Sequence, residues 1–299
     1  MLARLQWGNW SHDPTRGVCN ESDMMQVVDA EQERVARWLR LGGTIDSATT
    51  DHAMTWDVRG PGPGDGYAPA CVPAVSMATR IETLARVFAS WRKFLGPSTA
   101  FGFIESLGYW DIEGPDGVTY TNVSPEQLNN ISGWIPKLDD VTSRLLAAAN
   151  EVNPTPAVKL INHYQIDYGM DGVEQDTLRY GAVPPVGLNY RRILGAEAIM
   201  KRHGLESAVI LNANAAGQRT FGHKPAGNCL VGCDSAFTPS HSAALRTLNV
   251  TRGYMMLPDR SSQVALFEQW MAFPNVTGPE TEEDTGMWMV SKAAAIVRP

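Results

Sequence analysis

Ionisable and amide side chains recur at the ends of apolar, β-branched runs in this 299-residue chain. "TTDHA" ends on Asp51 and His52, and "FIESLGYWD" carries Glu105, then Tyr109, Trp110 and Asp111. "NHYQID" presents His163 and Asp167, "ILNAN" presents Asn212 and Asn214, and "FEQWMAFP" carries Glu268 and Trp270. Two carboxylates at neighbouring strand ends can supply an acid together with a base or nucleophile. Glu105 ends an apolar run, where loss of water favours the protonated acid, so it is the candidate acid/base. Asp167 is the candidate base or nucleophile. Glu268 and Glu280 stand in reserve. Tyr109, Trp110, Tyr168 and Trp270 offer flat faces, while Asp51, His52, His163 and Asn212 offer hydroxyl-directed hydrogen bonds. Rings, amides and carboxylates together suit a carbohydrate. Each residue also has a plainer reading: Asp167 as a turn cap, His163 as a satisfied core histidine, Trp91 as core packing.

These residues need elements to hold them, and the chain alternates. Helical spacing is expected over 24–41, 76–96, 135–154, 189–204, 238–257 and 282–297. In the second of these, Ile81, Leu84, Ala85, Phe88 and Trp91 fall on one face, and Gly96 lies just past the end. Strands are expected in 42–53, 99–111, 157–167, 206–217 and 263–274, with a further one in "RLQWGN" near the start. Because side chains alternate along a strand, His163, Gln165 and Asp167 should share one face, opposite Tyr164 and Ile166. Strands separated by helices imply parallel pairing. An open doubly wound sheet would announce a nucleotide with a Gly-rich turn after its first strand, and neither G-x-G-x-x-G nor G-x4-G-K-[ST] occurs. The expected fold is therefore α/β, a (β/α)8 TIM-type barrel with weak or incomplete first and last strands. It forms a single domain over 1–299, with a Gly/Pro loop at 59–69. Active sites of such barrels lie at the C-terminal ends of the strands, where these polar groups collect.

The pattern "FGFIESLG", then "HYQIDYGMDG", then "ILNAN", each closing a strand, resembles the glycoside hydrolases built on (β/α)8 barrels. "WMAFPNVTGPE" before a final helix is similar to their barrel-closing loops. The resemblance covers most of residues 40–299, and only as a strand-end pattern. It implies hydrolysis of a glycosidic bond in an oligo- or polysaccharide, with no cofactor and no metal. It does not select a mechanism. "QIDYGMDG" has Asp167 and Asp171 without the Glu of the chitinase-like pattern, and Asn162 is followed by His163 rather than Glu. A second reading is a metal-dependent hydrolase or phosphodiesterase on the same barrel, using Asp51, His52, Glu105, His163 and Asp167 as ligands. No H-x-H or H-E-x-x-H spacing supports it. A third reading is a non-catalytic glycan-binding barrel.

The net charge is -7, without a basic run, so nucleic acid is not an expected partner. No run of about eighteen apolar residues occurs, so a membrane span is not expected either. Six Asn-X-Ser/Thr sequons, at Asn9, Asn20, Asn122, Asn130, Asn249 and Asn275, exceed a chance expectation on the order of two. The excess points to a secreted glycoprotein, although the N-terminal residues lack the apolar core of a signal peptide. The oxidising compartment that goes with glycosylation also favours a disulfide among Cys19, Cys71, Cys229 and Cys233. Titration of the denatured, unreduced protein with a thiol reagent should therefore find fewer than four reactive thiols. Finding all four would overturn the expectation.

Overall fold

The computed structural model describes residues 2–5, 20–51, 54, 75–107, 110–113, 119–120, 134–169, 188–212, 254–257, 260–262 and 264–268. The elements are β1 (Leu2–Leu5), α1 (Glu21–Arg40), β2 (Ser47–Asp51), α2 (Met77–Leu95) and β3 (Ala100–Ser106). After these come β4 (Ile112–Glu113), β5 (Thr119–Tyr120), α3 (Pro136–Val152), β6 (His163–Gly169), α4 (Leu188–Arg202), β7 (Glu206–Asn212) and β8 (Val264–Glu268). Six strands form one parallel sheet in the order β1-β2-β3-β6-β7-β8, and β4 pairs antiparallel with β5. The chain is thus an α/β protein with a parallel sheet, as the alternation of elements requires. The short β4–β5 hairpin has no counterpart in the sequence reading.

Local signals account for the helix boundaries. Asn20 caps α1 by accepting from Asp23 N at 3.0 Å, and Ser76 caps α2 by accepting from Thr79 N at 3.1 Å. Gly96 and Gly204 follow α2 and α4 with φ of 84° and 68°, a region that costs a side chain energy and suits glycine. All five apolar residues assigned to one face of α2 are buried. Helix α1 buries only Met24 and Val28 fully, so it lies at the margin of the core. Consecutive helices pack on one another, α2 most extensively on α3.

Strand boundaries differ from expectation: β1 lies at Leu2–Leu5, β2 begins at Ser47, and the start of β6 moves most. A strand over 157–167 was expected, whereas β6 begins at His163 and runs to Gly169. Leu160 and Ile161 are buried, but they belong to the segment that enters the strand. A short apolar run does not say whether it is strand or the buried approach to one. The outcome places His163 at the start of the strand rather than near its end.

The strand-entry end is tied together by Arg92, whose side chain is buried on α2. Its Nη1 donates to Gly96 O at 2.9 Å and Thr99 O at 2.6 Å, and its Nη2 donates to Lys159 O at 3.0 Å. The guanidinium also sits 4.6 Å over the Phe101 ring. One planar, always-charged group thus joins the end of α2, the turn into β3 and the approach to β6. Asn162 continues the join: it exchanges bonds with the Phe101 backbone through its own N and Oδ1, and its O accepts from Glu206 N at 3.0 Å.

A second buried polar anchor lies on α4. Glu197 accepts from Ser261 N at 2.9 Å, Ser262 Oγ at 2.6 Å and the Tyr254 hydroxyl. Burial and the Glu197 charge push the Tyr254 phenol far above its ordinary value. The pair holds the segment that precedes β8 against the helix layer.

The Gly/Pro loop at 59–69, the four cysteines and the expected helix over 282–297 lie outside the described residues, as does most of the helix expected over 238–257. Arg92→Met should lower the unfolding free energy by about 3 kcal/mol, because three carbonyls, that of Thr99 buried and those of Gly96 and Lys159 part-buried, lose a charged donor. Arg144→Met, on the exposed side of α3, should change it by less than about 0.5 kcal/mol. Urea unfolding of both variants checks the contrast.

Candidate functional site

The strand register sorts the expected site residues onto two faces. Thr49, Gly102, His163 and Glu206 stand side by side across β2, β3, β6 and β7. Because side chains alternate, Ser47 and Thr49 share a face with His163, Gln165 and Asp167. Phe101, Phe103, Tyr164 and Ile166 share the opposite face, where the Phe103 and Tyr164 rings meet edge-on at 4.9 Å. The expected division of β6 therefore holds.

The first face carries a polar network. His163 Nε2 lies 3.1 Å from Thr49 Oγ1 and 3.4 Å from Ser47 Oγ. Gln165 Nε2 donates to Thr49 Oγ1 at 3.2 Å. With Gln165 donating, the Thr49 hydroxyl proton is left for His163 Nε2, the arrangement a neutral imidazole accepts. Burial favours that neutral form and pushes the His163 ring down to about 4. The ring lies against Gly102: a Cβ there would fall 2.2 Å from His163 Cδ2 and 2.4 Å from Nε2. Glycine is thus required on β3 by a close approach from β6.

Asp167 stands at the other end of this face, about 13 Å along β6 from His163 at the ordinary strand rise. It is 7% exposed and pairs in register with Ser106 and Ile210. Glu105 is 1% exposed and stands beside Ile166. Alternation places it with Phe101 and Phe103, on the face opposite Gln165 and Asp167. Its Oε1 accepts from Met54 N at 2.7 Å, which ties the chain after β2 to the end of β3. Burial, then the charges of Glu105 and Asp167, hold the Tyr164 phenol well above its ordinary value. The two carboxylates occupy adjacent strand ends as expected, but on different sides of the sheet.

The remaining site residues are distributed as follows. Asp51 ends β2 in register with Ile104, and Asn212 pairs with both Gly169 and Glu268 at the ends of β6, β7 and β8. Trp110 is fully buried behind the end of β3. His52, Tyr109, Trp270 and Glu280 lie outside the described residues. Among the described residues, no group of three or more His, Cys, Asp or Glu side chains could hold a metal ion. None of their helices is long and apolar enough to cross a membrane.

Ser47, Thr49 and Gly102 were not singled out from the sequence. The two-residue period that groups His163 with Gln165 and Asp167 also groups Ser47 with Thr49 and Asp51. The cross-strand register that brings the two sets together was missing. Compared with known proteins, the chain matches no family model and no curated protein.

The His163 shift has a sign that can be measured. Its pKa is depressed in the folded state, so between about pH 6.5 and about 4 the unfolded chain binds the extra proton. Its contribution to stability is complete above that window and is lost as pH falls through it, at a slope approaching about 1.4 kcal/mol per pH unit. His163→Gln should remove this part of the acid sensitivity. Urea midpoints of parent and variant at pH 7, 5.5 and 4.5 should therefore differ less between the two proteins as pH falls.

Proposed function

We propose that the chain is a glycoside hydrolase on a (β/α)8 barrel, acting on an oligo- or polysaccharide at the C-terminal ends of the strands. The observation that carries this reading is the polar face of the parallel sheet. Sheets of this type, buried on both sides, are ordinarily lined with Val, Ile and Leu. Here Ser47, Thr49, His163 and Gln165 occupy one face and lead up to the carboxylate of Asp167. A sheet that turns such a face inward prepares a polar interior, and a sugar is a polar substrate.

The winding supports the barrel. The strand order β1-β2-β3-β6-β7-β8 never reverses, whereas a doubly wound sheet reverses at its binding crevice. Asn20, the sequon asparagine among the described residues, is exposed, and its Oδ1 caps α1. That leaves Nδ2, the atom a glycan would take, compatible with a secreted glycoprotein.

In this reading Asp167 is the base or nucleophile. Glu105 braces the strand end through Met54, and Glu268, in register with Asn212 on β8, is the carboxyl group assigned as its catalytic partner. The test is a panel of 4-nitrophenyl glycosides and reducing-sugar assays on polysaccharides, run with Asp167→Asn, Glu268→Gln and Glu105→Gln. Asp167→Asn and Glu268→Gln should lower kcat roughly 10²–10⁴-fold with little change in Tm. Glu105→Gln should mainly lower Tm. No turnover by the parent on any substrate, or an Asp167→Asn variant as active as the parent, would overturn the assignment.

A further inference from the structure

Trp38, in the last turn of α1, is 44% exposed, although this residue type is highly buried on average. The ring does not swing free. A Cβ on Gly43 would fall 2.0 Å from Trp38 Cε2, 2.1 Å from Nε1 and 2.4 Å from Cδ2. These three atoms belong to the five-membered ring and are almost equally distant, so the glycine backbone covers one face of the indole. Only glycine permits that approach. Trp38 Nε1 also donates to Thr44 O, at a long 3.4 Å. The open side of the ring is therefore its opposite face, held flat against the turn that leads into β2.

The surface beside the ring is cationic. Arg34, Arg37, Trp38 and Leu41 stand three and four residues apart, so they share one side of α1, and all four are exposed. Arg37 makes no ion pair among the described residues. Arg34 pairs with Glu31, but its side chain is 71% exposed, and a surface pair of this kind yields readily to another anion. No carboxylate occurs between Glu33 and Asp46, in a chain whose net charge is -7. The patch thus asks for a partner with both negative charge and an apolar face. A bilayer anchor buries its rings in lipid, whereas this ring lies flat on the protein. A sugar ring has such an apolar face, and a ring already pinned loses little freedom when a sugar stacks on it.

We propose that this patch is a surface docking site for a polysaccharide that carries carboxylates, a polyuronate. Its sugar faces stack on Trp38, and its carboxylates meet Arg34 and Arg37. The choice of a sugar rests on the reading of the chain as a glycoside hydrolase, and it narrows that reading to an acidic glycan. The patch is separate from the assigned reaction. Residues 38–44 lead into the start of β2, at the strand-entry end of the sheet, whereas Asp167 stands near the opposite end. The patch holds a long substrate on the protein and takes no part in bond cleavage.

The probes are oligogalacturonate, its uncharged methyl ester, polyglutamate and phosphatidylserine vesicles, each titrated into the full chain by calorimetry. The parent should bind oligogalacturonate at least about tenfold more tightly than the ester, which keeps the ring without the charge, or polyglutamate, which keeps the charge without the ring. Trp38→Ala should weaken oligogalacturonate about tenfold or more, and so should Arg34→Gln combined with Arg37→Gln. Tm of each variant separates loss of the patch from loss of the fold, and the exposed arginines give a second route should Trp38→Ala not fold. Oligogalacturonate binding that these variants lose supports the site even where the parent turns over no glycoside, so the failure of the docking site and that of the assigned reaction are read separately. No binding of oligogalacturonate at millimolar concentration, equal binding of the ester or of polyglutamate, binding of the vesicles in its place, or undiminished binding by a folded variant of either kind would each overturn the proposal.

Discussion

The buried guanidinium of Arg92 is the constraint on which the described part of the molecule rests. A charge inside a protein is tolerated only when its surroundings replace water, and here three carbonyl oxygens and an aromatic face do so. The carbonyls come from three places in the chain: the end of α2, the turn into β3 and the approach to β6. Satisfying one side chain therefore fixes where two neighbouring strands begin. In a parallel sheet the starting points set the register, and a slip of one residue would turn every side chain to the other face. The polar face of β2, β3 and β6 exists because that register is held.

The same constraint explains the layout of the polar groups. Strand entry is dominated by backbone-directed bonds from Arg92 and Asn162, with Lys159 Nζ reaching Gly204 O at 3.0 Å. Side-chain-to-side-chain bonds begin one layer further along, with Ser47, Thr49 and His163. On β2, β3 and β6 the carboxylates, Asp51, Glu105 and Asp167, stand at or next to the strand ends. On these three strands the layout grades from scaffold to candidate site along a single direction of the sheet. It places the groups that tolerate no movement furthest from the groups that would meet a ligand.

Much of this was legible in the sequence, for identifiable reasons. The α/β alternation was readable because α2 and α3 are long and strongly periodic, and because Pro and Gly punctuate their ends. The grouping of His163 with Gln165 and Asp167 followed from the two-residue period alone. The start of β6 was not readable, since Leu160 and Ile161 are as apolar in an approach segment as in a strand. The separation of Glu105 from Asp167 was also hidden. Both end apolar runs, but their faces depend on how β3 and β6 are offset, and that offset is set by Asn162 and Arg92 through contacts distant in sequence. Thr49 and Gly102 belong to the same class: their roles exist only once His163 is laid across them.

The buried carboxylate of Glu197 has a consequence for how the chain assembles. β2, β3, β6 and β7 join one after another, each strand separated from the last by a connection that carries a helix. β8 pairs with β7 only after a long stretch, from Asn212 to Val264. Closing so long a loop costs entropy that grows with the logarithm of its length, and it slows the search for the final edge. Glu197, already placed on α4, offers a waystation. Once Tyr254, Ser261 and Ser262 have docked on it, β8 is only a few residues from its partner, and the last pairing becomes a local event. A substitution that disturbed this dock would act on the rate at which the sheet is completed, and would lengthen the time β7 spends as an unprotected edge.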